Sequence, residues 1–337
     1  MNSYNGRHNA RLLLRHHHQL PSEERRGSSF VPGTRDYGGR KNKMITRLHD
    51  CMINIRRYEN NHNWIINQAL LVAIILLGCP LYSQVYDSDK STGTTQNFTW
   101  PDGKTMALSL TFDDARLSQP DKGIPILDKY GVKATFYISP GSMLNRLEAW
   151  KTAVRNGHEI GNHSVLHPCS GNFLWSRSRA LEDYTLERMK TELDSASRLI
   201  REKLGVNPFS FAYPCGQTFI GRGINTQSYV PLIALMFESG RGWLNEAPND
   251  PSYCDFAQLN ASELDGKTFE QIMKLIETAK AGGSWLILAG HEMNAEGNQT
   301  SRLETIEALC KYASDPSNGI WIDNIHNVAT YVKKNRK

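Results

Sequence analysis

The sequence predicts an α/β protein whose parallel sheet closes, or nearly closes, into a barrel. From about residue 97 onward, apolar runs of strand length alternate with longer stretches in which apolar residues recur every three or four positions. Strands and helices that alternate at this spacing are typical of a parallel sheet covered by helices. No internal repeat is evident, so the pattern indicates one domain of about 235 residues.

The individual elements follow from local patterns. Two apolar runs, ALSLTF over 107–112 and ATFYI over 134–138, predict buried strands, with a helix over 124–130 between them. The clearest helix is predicted over 178–204, because apolar residues fall three or four apart there and Gly205 follows as a stop. The alternation then continues with strand 209–213, helix 268–281, strand 285–288, helix 301–313, strand 319–322 and a last helix that ends near Val332.

The distribution of charge argues against a nucleic-acid partner. The chain has 337 residues and a formal net charge of +5. However, residues 1–63 hold 12 basic and 5 acidic residues, 64–83 hold none, and 84–337 hold 27 basic and 29 acidic residues. A nucleic-acid-binding domain would carry its basic residues on the folded part of the chain. Nothing in the sequence predicts a stable protein partner either.

Residues 52–83 have the features of a signal peptide. The uninterrupted apolar run at 69–77 is too short to cross ~30 Å of hydrocarbon, but it fits a signal-peptide core with two arginines on its basic flank. A cut after Ser83 suits an ordinary signal peptidase. The alternative is a lipoprotein cut with lipidation of Cys79, which the proline that follows makes less favourable. We therefore expect an exported chain, periplasmic or secreted, that meets a membrane only if Cys79 is lipidated.

The segments on either side of this signal are polar. Residues 1–51 lack hydrophobic periodicity and are expected to be disordered, or not translated at all if synthesis starts at Met44 or Met52. Residues 84–97 are small and polar, which predicts a linker to a folded domain at 98–333.

Four short segments with chemically reactive side chains fall at the predicted carboxyl ends of strands. They are TFDD at 111–114, GNHSVLHP at 161–168, FAYPCG at 211–216 and LAGH at 288–291. Barrels of this kind place their active sites at these strand ends. The sequence therefore predicts that the four segments meet in one site.

Together these segments offer a complete set of hydrolytic groups. Asp113 and Asp114 are adjacent carboxylates after an apolar strand, and they are costly to bury unless a cation or a proton donor meets them. His163 and His167 are four apart, so on one helical turn both imidazoles would face the same way, as in a metal pair. Each segment taken alone has an ordinary structural interpretation, such as a turn or a helix cap. Taken together, they provide one carboxylate and two histidines for a divalent metal, a second carboxylate as base and His291 as acid.

These motifs resemble those of the polysaccharide deacetylases, the NodB-homology domains of carbohydrate esterase family 4. TFDD, HSxxHP and the late histidine occur in family order within about 100–332, and GVKATFYI and NGHEIGNHS are also typical of the family. The resemblance implies a distorted (β/α)7 barrel in a single catalytic domain. It implies that the metal, with zinc as the first choice, is bound by Asp114, His163 and His167, that Asp113 is the base, and that His291 protonates the leaving amine.

The chain departs from the family pattern at the residues that support this chemistry. The third motif usually carries an arginine where this chain has Ala212, and Arg222 or Arg241 could reach in from a loop instead. The alternative for each of them is an ordinary turn arginine. The family's later Asp-Trp motif, which supports the acid, has no clear counterpart, although Asp250 and Asp255 lie in about the right interval.

The residues expected to contact substrate come from the third and fourth segments and from these arginines. The family's leucine that lines the acetate-methyl pocket lies one position early here, at Leu288. The expected set is Tyr213, Pro214, Leu288, Arg241 and Arg222. Trp175, Trp243 and Tyr229 are candidates for stacking on sugar rings, with core packing as the alternative.

Two cysteines are expected near the metal. Cys169 follows HSxxHP and Cys215 lies in the third motif. In an oxidising compartment, the four cysteines after the expected cut allow three full pairings, and the sequence alone does not choose between them; the four are Cys169, Cys215, Cys254 and Cys310. A Cys169–Cys215 disulfide that braces the site is one hypothesis. The alternatives are a pair of small buried residues, or direct metal ligation by Cys215.

The predicted function is removal of N-acetyl or O-acetyl groups from a polysaccharide or oligosaccharide by an exported, metal-dependent hydrolase. One alternative is a metal-dependent amidohydrolase of the same fold that acts on a small non-sugar amide. Another is a carbohydrate-binding barrel that has lost activity, which the missing arginine would permit. Asp113 and His291 argue against that last alternative, because binding alone needs neither a base nor an acid.

Overall fold

A curled sheet of parallel strands is the framework of the domain. The computed structural model describes residues 98–336. Its strands are β1 (Met106–Asp113), β2 (Thr135–Ile138), β3 (Glu159–Asn162), β4 (Ser210–Ala212), β5 (Phe219–Ile220), β6 (Gln227–Ser228), β7 (Ser239–Arg241), β8 (Ser262–Glu263), β9 (Trp285–Gly290), β10 (Glu292–Asn294), β11 (Thr300–Arg302) and β12 (Ile320–Ile322). The main sheet has the order β7-β4-β3-β2-β1-β9-β8, and β12 pairs with the start of β1.

The sheet curls nearly into a closed barrel. Every strand pair of the main sheet is parallel. A single parallel bridge between Arg241 and Leu259 joins the β7 edge to the segment that leads into β8. The predicted single-domain α/β fold with a distorted barrel is therefore confirmed. Seven strands form the barrel path, and β12 is an eighth strand that pairs beside β1.

Helices follow most strands, as the alternation predicts. They are α1 (Ile124–Lys129), α2 (Pro140–Met143), α3 (Leu147–Arg155), α4 (Leu186–Leu204), α5 (Val230–Met236), α6 (Phe269–Ala281), α7 (Leu303–Ser314) and α8 (Ile325–Asn335).

The longest helix begins later than the sequence pattern suggests. The expected helix over 178–204 starts only at Leu186, where the Thr185 side chain accepts a hydrogen bond from the Arg188 amide as an N-cap. Short 3-10 turns occupy the preceding residues. Its predicted end is correct, because Gly205 adopts a left-handed φ of 74° directly after Leu204.

The two faces of β1 point into different environments. Leu108, Leu110 and Phe112 belong to the main core, which includes apolar side chains of α1, α3, α6 and α7. The alternate residues point the other way, and Asp113 is the last of them. This alternation sends the Asp113 side chain away from the apolar core.

The predictions for 1–51, 52–83 and 84–97 lie outside the described residues. Within 98–336, no helix combines the length and the apolar character needed to cross a membrane.

Candidate active site

A cavity of 710 Å³ opens at the carboxyl ends of the barrel strands. A volume of this size is typical of small-molecule and cofactor sites. The four sequence segments all reach it, as the strand-end argument predicts. Among its lining residues are Asp113, Asp114, His163, His167, Tyr213 and His291.

Asp114, His163 and His167 form a compact group of potential metal ligands. Asp114 Oδ1 lies 3.5 Å from His163 Nε2 and 3.6 Å from His167 Nε2, and the three ligand atoms lie within 4.8 Å of one another. His163 Nδ1 donates a hydrogen bond of 2.9 Å to the Ala212 carbonyl. With Nδ1 engaged in this bond, Nε2 is the ring atom that faces the ligand group and can bind a cation. One carboxylate oxygen and two imidazole nitrogens at this spacing fit a divalent metal such as zinc.

The two histidines do not share a helical turn, and that part of the sequence interpretation is wrong. They lie in an irregular loop after β3, in which Ser164 (φ 60°) and His167 (φ 51°) have left-handed backbone conformations. The Ser164 amide donates to Asn162 Oδ1 (2.7 Å), and the His167 amide donates to Ser164 Oγ (2.9 Å). These side-chain acceptors hold the turn that places the imidazole rings 4.7 Å apart, edge to face.

The charges around this group suit metal binding. Burial opposes ionisation of Asp114, but the nearby His163 and His167 lower its pKa to about 2. Burial and the neighbouring His163 lower the pKa of His167 to about 4, so the ring is neutral near pH 7. Arg116 donates two hydrogen bonds to Asp114 Oδ2, of 2.9 and 3.1 Å. Arg116 therefore occupies one carboxylate oxygen while the other faces the histidines.

Asp113 forms a buried ion pair with Arg241. The Arg241 side chain is fully buried, and its Nη2 donates to Asp113 Oδ1. The guanidinium also donates to the Gly242 carbonyl (2.8 Å) and lies over the Tyr137 ring, 4.8 Å from its centroid. Burial alone would raise the pKa of Asp113, but Arg241, followed by His163, outweighs it and lowers that pKa. Asp113 is thus held as a carboxylate beside the ligand group.

His291 is held by an aspartate that the sequence did not point to. Asp265 Oδ2 lies 2.7 Å from His291 Nδ1, and Asp265 Oδ1 accepts hydrogen bonds from the His291 amide and Ser301 Oγ. Burial alone would lower the pKa of His291, but the hydrogen bond to Asp265 and the charge of Asp113 outweigh it, so the pKa lies above its ordinary value. Trp243 packs edge to face on the imidazole at 5.0 Å.

Asp265 escaped the sequence analysis because no strand was predicted directly before it. It comes two residues after the short strand β8, at the same end of the barrel as the other site residues. The two aspartates in the expected interval serve other purposes, because Asp250 and Asp255 accept hydrogen bonds from the nearby backbone amides of Ser252 and Ala257.

A family comparison agrees with this geometry. Residues 101–226 match the family model described as polysaccharide deacetylase. The chain carries a polysaccharide deacetylase domain.

Curated relatives of this deacetylase domain match over limited segments. The uncharacterised protein YlxY of Bacillus subtilis is 35% identical over 96 residues, which is 28% of this chain and 27% of that protein. Chitin deacetylase 1 of Cryptococcus neoformans is 29% identical over 175 residues, which is 51% of this chain and 34% of that protein. The matches thus span about a third or less of the length of these relatives.

A solved structure has the same fold over most of its length. The putative polysaccharide deacetylase of Mycobacterium smegmatis superposes with a TM-score of 0.53 at 16% identity, covering 71% of this chain and 93% of that one. At this identity the likeness concerns the fold of the deacetylase domain.

Three of the five residues expected to contact substrate lie outside the cavity of this deacetylase domain. Arg222 lies on the surface, 66% exposed, and pairs with Asp183 at 2.8 Å. Leu288 belongs to the main core because its side chain points to the helix-covered face of β9, and it does not line the cavity. Pro214 is buried and is also absent from the cavity wall.

The other two residues of that set lie in or next to the site. Tyr213 lines the cavity, and its hydroxyl donates to the Ala257 carbonyl at 2.7 Å. Arg241 lies behind the cavity wall and contacts Asp113. Of the three aromatic candidates for sugar stacking, Trp175 and Trp243 line the cavity, whereas Tyr229 is buried in the core around α4 and α5.

The expected Cys169–Cys215 disulfide is confirmed. Its Cα atoms are 6.1 Å apart, and it joins the loop that carries His167 to the turn after β4. Cys215 is therefore engaged in this bond, which removes the alternative of metal ligation by its thiolate. Among the described residues, Cys254 and Cys310 are free thiols.

Proposed function

We propose that this domain hydrolyses acetyl groups on a glycan by metal-dependent catalysis. The observation that carries the proposal is the convergence of three units on one cavity. They are the ligand group of Asp114 with two histidines, the Asp113–Arg241 ion pair and the His291–Asp265 pair. Each unit supplies a part that hydrolysis of an amide or ester requires.

Asp114, His163 and His167 are the residues that would hold the metal. Zinc is the favoured ion, because two imidazoles and one carboxylate form a typical catalytic zinc set with an open position. When bound, the metal would supply a Lewis acid that polarises the acetyl carbonyl and lowers the pKa of water.

Asp113 would take the proton from the attacking water. A general base must be ionised at the working pH, and the buried guanidinium of Arg241 keeps the pKa of Asp113 low. Arg241 also fixes the carboxylate in one orientation, because one Asp113 oxygen accepts its hydrogen bond. The other carboxylate oxygen is then available for the water.

His291 would give a proton to the leaving group. Asp265 binds Nδ1, so the imidazolium presents Nε2–H to the substrate. The raised pKa of His291 keeps a larger fraction of the ring protonated near neutral pH. The departing sugar amine, or the sugar hydroxyl in an O-acetyl substrate, would receive this proton.

These pairs favour an active enzyme over an inactive carbohydrate-binding barrel. That alternative rested on the absence of the third-motif arginine, and Arg241 supplies a guanidinium to Asp113. A glycan is favoured over a small amide because the cavity extends to exposed aromatic residues beyond the ligand group. The named activity of the chitin deacetylase relative supports the same substrate class.

The direct test is acetate release from a panel of acetylated glycans by the purified chain. Release should occur with zinc, stop with a chelator and return when zinc is restored. Asp113→Asn should abolish turnover and keep the metal content, because Asp113 is not among the ligands. Loss of metal in that variant would show instead that Asp113 is the ligand and Asp114 the base. No release from any glycan by metal-loaded protein would overturn the proposal.

We also propose export of the chain, on the sequence pattern of 52–83 alone. N-terminal sequencing of the mature protein should find a start at Gln84. A start at a lipidated Cys79 would assign the chain to a membrane surface instead. An intact cytoplasmic chain that retains 52–83 would contradict export.

A further inference from the structure

Two aromatic side chains remain exposed at the edge of the cavity. Phe173 is 42% exposed and Trp175 is 49% exposed, and both line the cavity. Their rings stack with centroids 5.4 Å apart, and the Trp175 ring lies 5.9 Å from the ring of His167. We call Phe173 and Trp175 the aromatic rim. The rim thus begins directly beside a residue of the ligand group.

The loop that carries the aromatic rim is firmly held. The Cys169–Cys215 disulfide fixes its start. Ser176 Oγ donates to the Cys169 carbonyl and accepts from the Cys169 amide, at 2.8 and 3.0 Å. Glu182 accepts hydrogen bonds from Ser170 Oγ (2.6 Å) and from the Gly171 amide (2.9 Å). The rim is therefore preorganised, which lowers the entropy that a ligand must overcome on binding.

Arg179 supports the same surface. Its guanidinium lies over the Trp175 ring, 5.4 Å from the centroid, and Arg179 also lines the cavity. A cation at this distance is attracted by the face of an indole ring. This contact restrains the orientation of Trp175 while half of the residue stays exposed to solvent.

We infer that the aromatic rim is a sugar-binding subsite for the glycan residue next to the acetylated one. A pyranose ring has an apolar face of C–H groups, which can cover an exposed aromatic ring and remove apolar surface from water. The inference rests on the proposed function, because continuity of the rim with the catalytic cavity is what selects a glycan as occupant. A second copy of the chain on the rim is the competing outcome.

The test compares substrates that reach the rim with one that does not. Trp175→Ala should raise KM for an N-acetylglucosamine tetramer about tenfold and leave kcat within about twofold. The KM for 4-nitrophenyl acetate should not change, because this ester is too small to reach from the ligand group to the aromatic rim. Phe173→Ala should shift KM in the same direction, and Trp175→Phe should restore part of the loss.

The matched control is Tyr253→Ala, which removes an aromatic residue that is 89% exposed and outside the cavity. This variant should behave as wild type on both substrates. Metal content is measured for every variant. If Trp175→Ala raised KM equally for the small ester, the residue would act on the reaction centre, and the subsite would be rejected.

Direct binding separates failure of the subsite from failure of the proposed function. Calorimetric titration with the tetramer should give a weaker Kd for Trp175→Ala than for wild type, even if no glycan is hydrolysed. Weaker binding without any hydrolysis would keep the subsite and reject the deacetylase function. Equal binding of the sugar tetramer by both proteins would reject the subsite. The subsite would also be rejected if wild type self-associated and Trp175→Ala abolished that association without changing binding of the sugar tetramer.

Discussion

Arg241 lies directly beside Ala212 in the parallel pairing of β7 with β4. Ala212 is the position at which the family usually carries its third-motif arginine. Laterally paired residues of neighbouring parallel strands point to the same face of the sheet, about 4.8 Å apart. A guanidinium that starts on β7 can therefore reach Asp113, and the structure has this contact. In this chain the guanidinium that contacts Asp113 thus comes from the strand next to the Ala212 position.

Removal of Arg241 should therefore disable the base. We expect Arg241→Met to lower kcat by at least about a hundredfold, because Asp113 would lose the group that orients and ionises it. The free energy of unfolding should fall by about 3–5 kcal/mol, since a buried carboxylate is left without its partner. Both are measured on metal-loaded protein, by acetate release and by urea unfolding.

The pairing of Ala212 with Arg241 allows a second test, which moves the arginine from one position to the other. The double variant Ala212→Arg/Arg241→Ala should recover part of the activity that Arg241→Met loses, because it restores an arginine at the paired position. Arg222→Ala is the matched control, and it should leave kcat unchanged because Arg222 pairs with Asp183 on the surface. Full activity in Arg241→Met would show that Asp113 does not need the guanidinium.

The pair of Asp265 and His291 predicts a shift in the pH profile. The Asp265 carboxylate helps to hold the pKa of His291 above its ordinary value. Asp265→Asn removes that negative charge, so the pKa of His291 should fall. Because the acid must be protonated, the alkaline limb of the kcat/KM profile should move to lower pH.

The comparison variant for this pH experiment is Asp255→Asn, which alters a carboxylate that accepts a local backbone hydrogen bond. Its alkaline limb should coincide with that of wild type. An unshifted limb in Asp265→Asn would mean that His291 is not the group that titrates there.

Arg116 should strengthen metal binding through Asp114. Two effects of Arg116→Gln oppose each other. Loss of a nearby positive charge favours a bound cation, but Arg116 is 38% exposed and solvent screens that charge. Loss of the two hydrogen bonds to Asp114 Oδ2 frees the carboxylate to rotate, and such supporting contacts are worth about 10–100-fold in metal affinity. We expect the loss of the two hydrogen bonds to outweigh the loss of the charge, so that metal affinity falls.

Zinc affinity, measured by competition with a fluorescent chelator, decides between these effects. Arg116→Gln should bind zinc about tenfold more weakly than wild type. Tighter binding would show that charge repulsion dominates. Arg146→Gln is the comparison variant, because this exposed arginine pairs with Asp121 on the surface and should leave zinc affinity unchanged.

The disulfide should contribute both stability and order at the site. The bond closes a loop with a sequence separation of 46, and such a closure stabilises a fold by about 2–4 kcal/mol. Cys169→Ser/Cys215→Ser should lose stability of that order in urea unfolding. Its KM for the tetramer should also rise, because the rim loop loses its anchor. Cys254→Ser tests whether loss of any sulfur has this effect, and it should not raise KM.

Two local sequence patterns predicted helix where the structure has none. The apolar periodicity of 178–204 continues through residues that form 3-10 turns, because the Thr185 side chain caps α4 and stops the helix from extending backward. Likewise, the spacing of His163 and His167 suggested a helical turn. Their closeness comes instead from left-handed backbone at Ser164 and His167, which spacing alone does not reveal.

The alternation of strands and helices, the four reactive segments at strand ends and the deacetylase resemblance can all be read from the amino-acid order. These features are local, because periodicity and short motifs depend only on residues that are close together in the chain. Which residues support the reactive ones became evident only in the folded barrel. Asp265 meets His291 because β8 and β9 pair in a particular register. Arg241 meets Asp113 across the barrel because the pairing of β7 with β4 sets Arg241 level with Ala212. That register depends on the packing of the whole barrel, so no single segment encodes it.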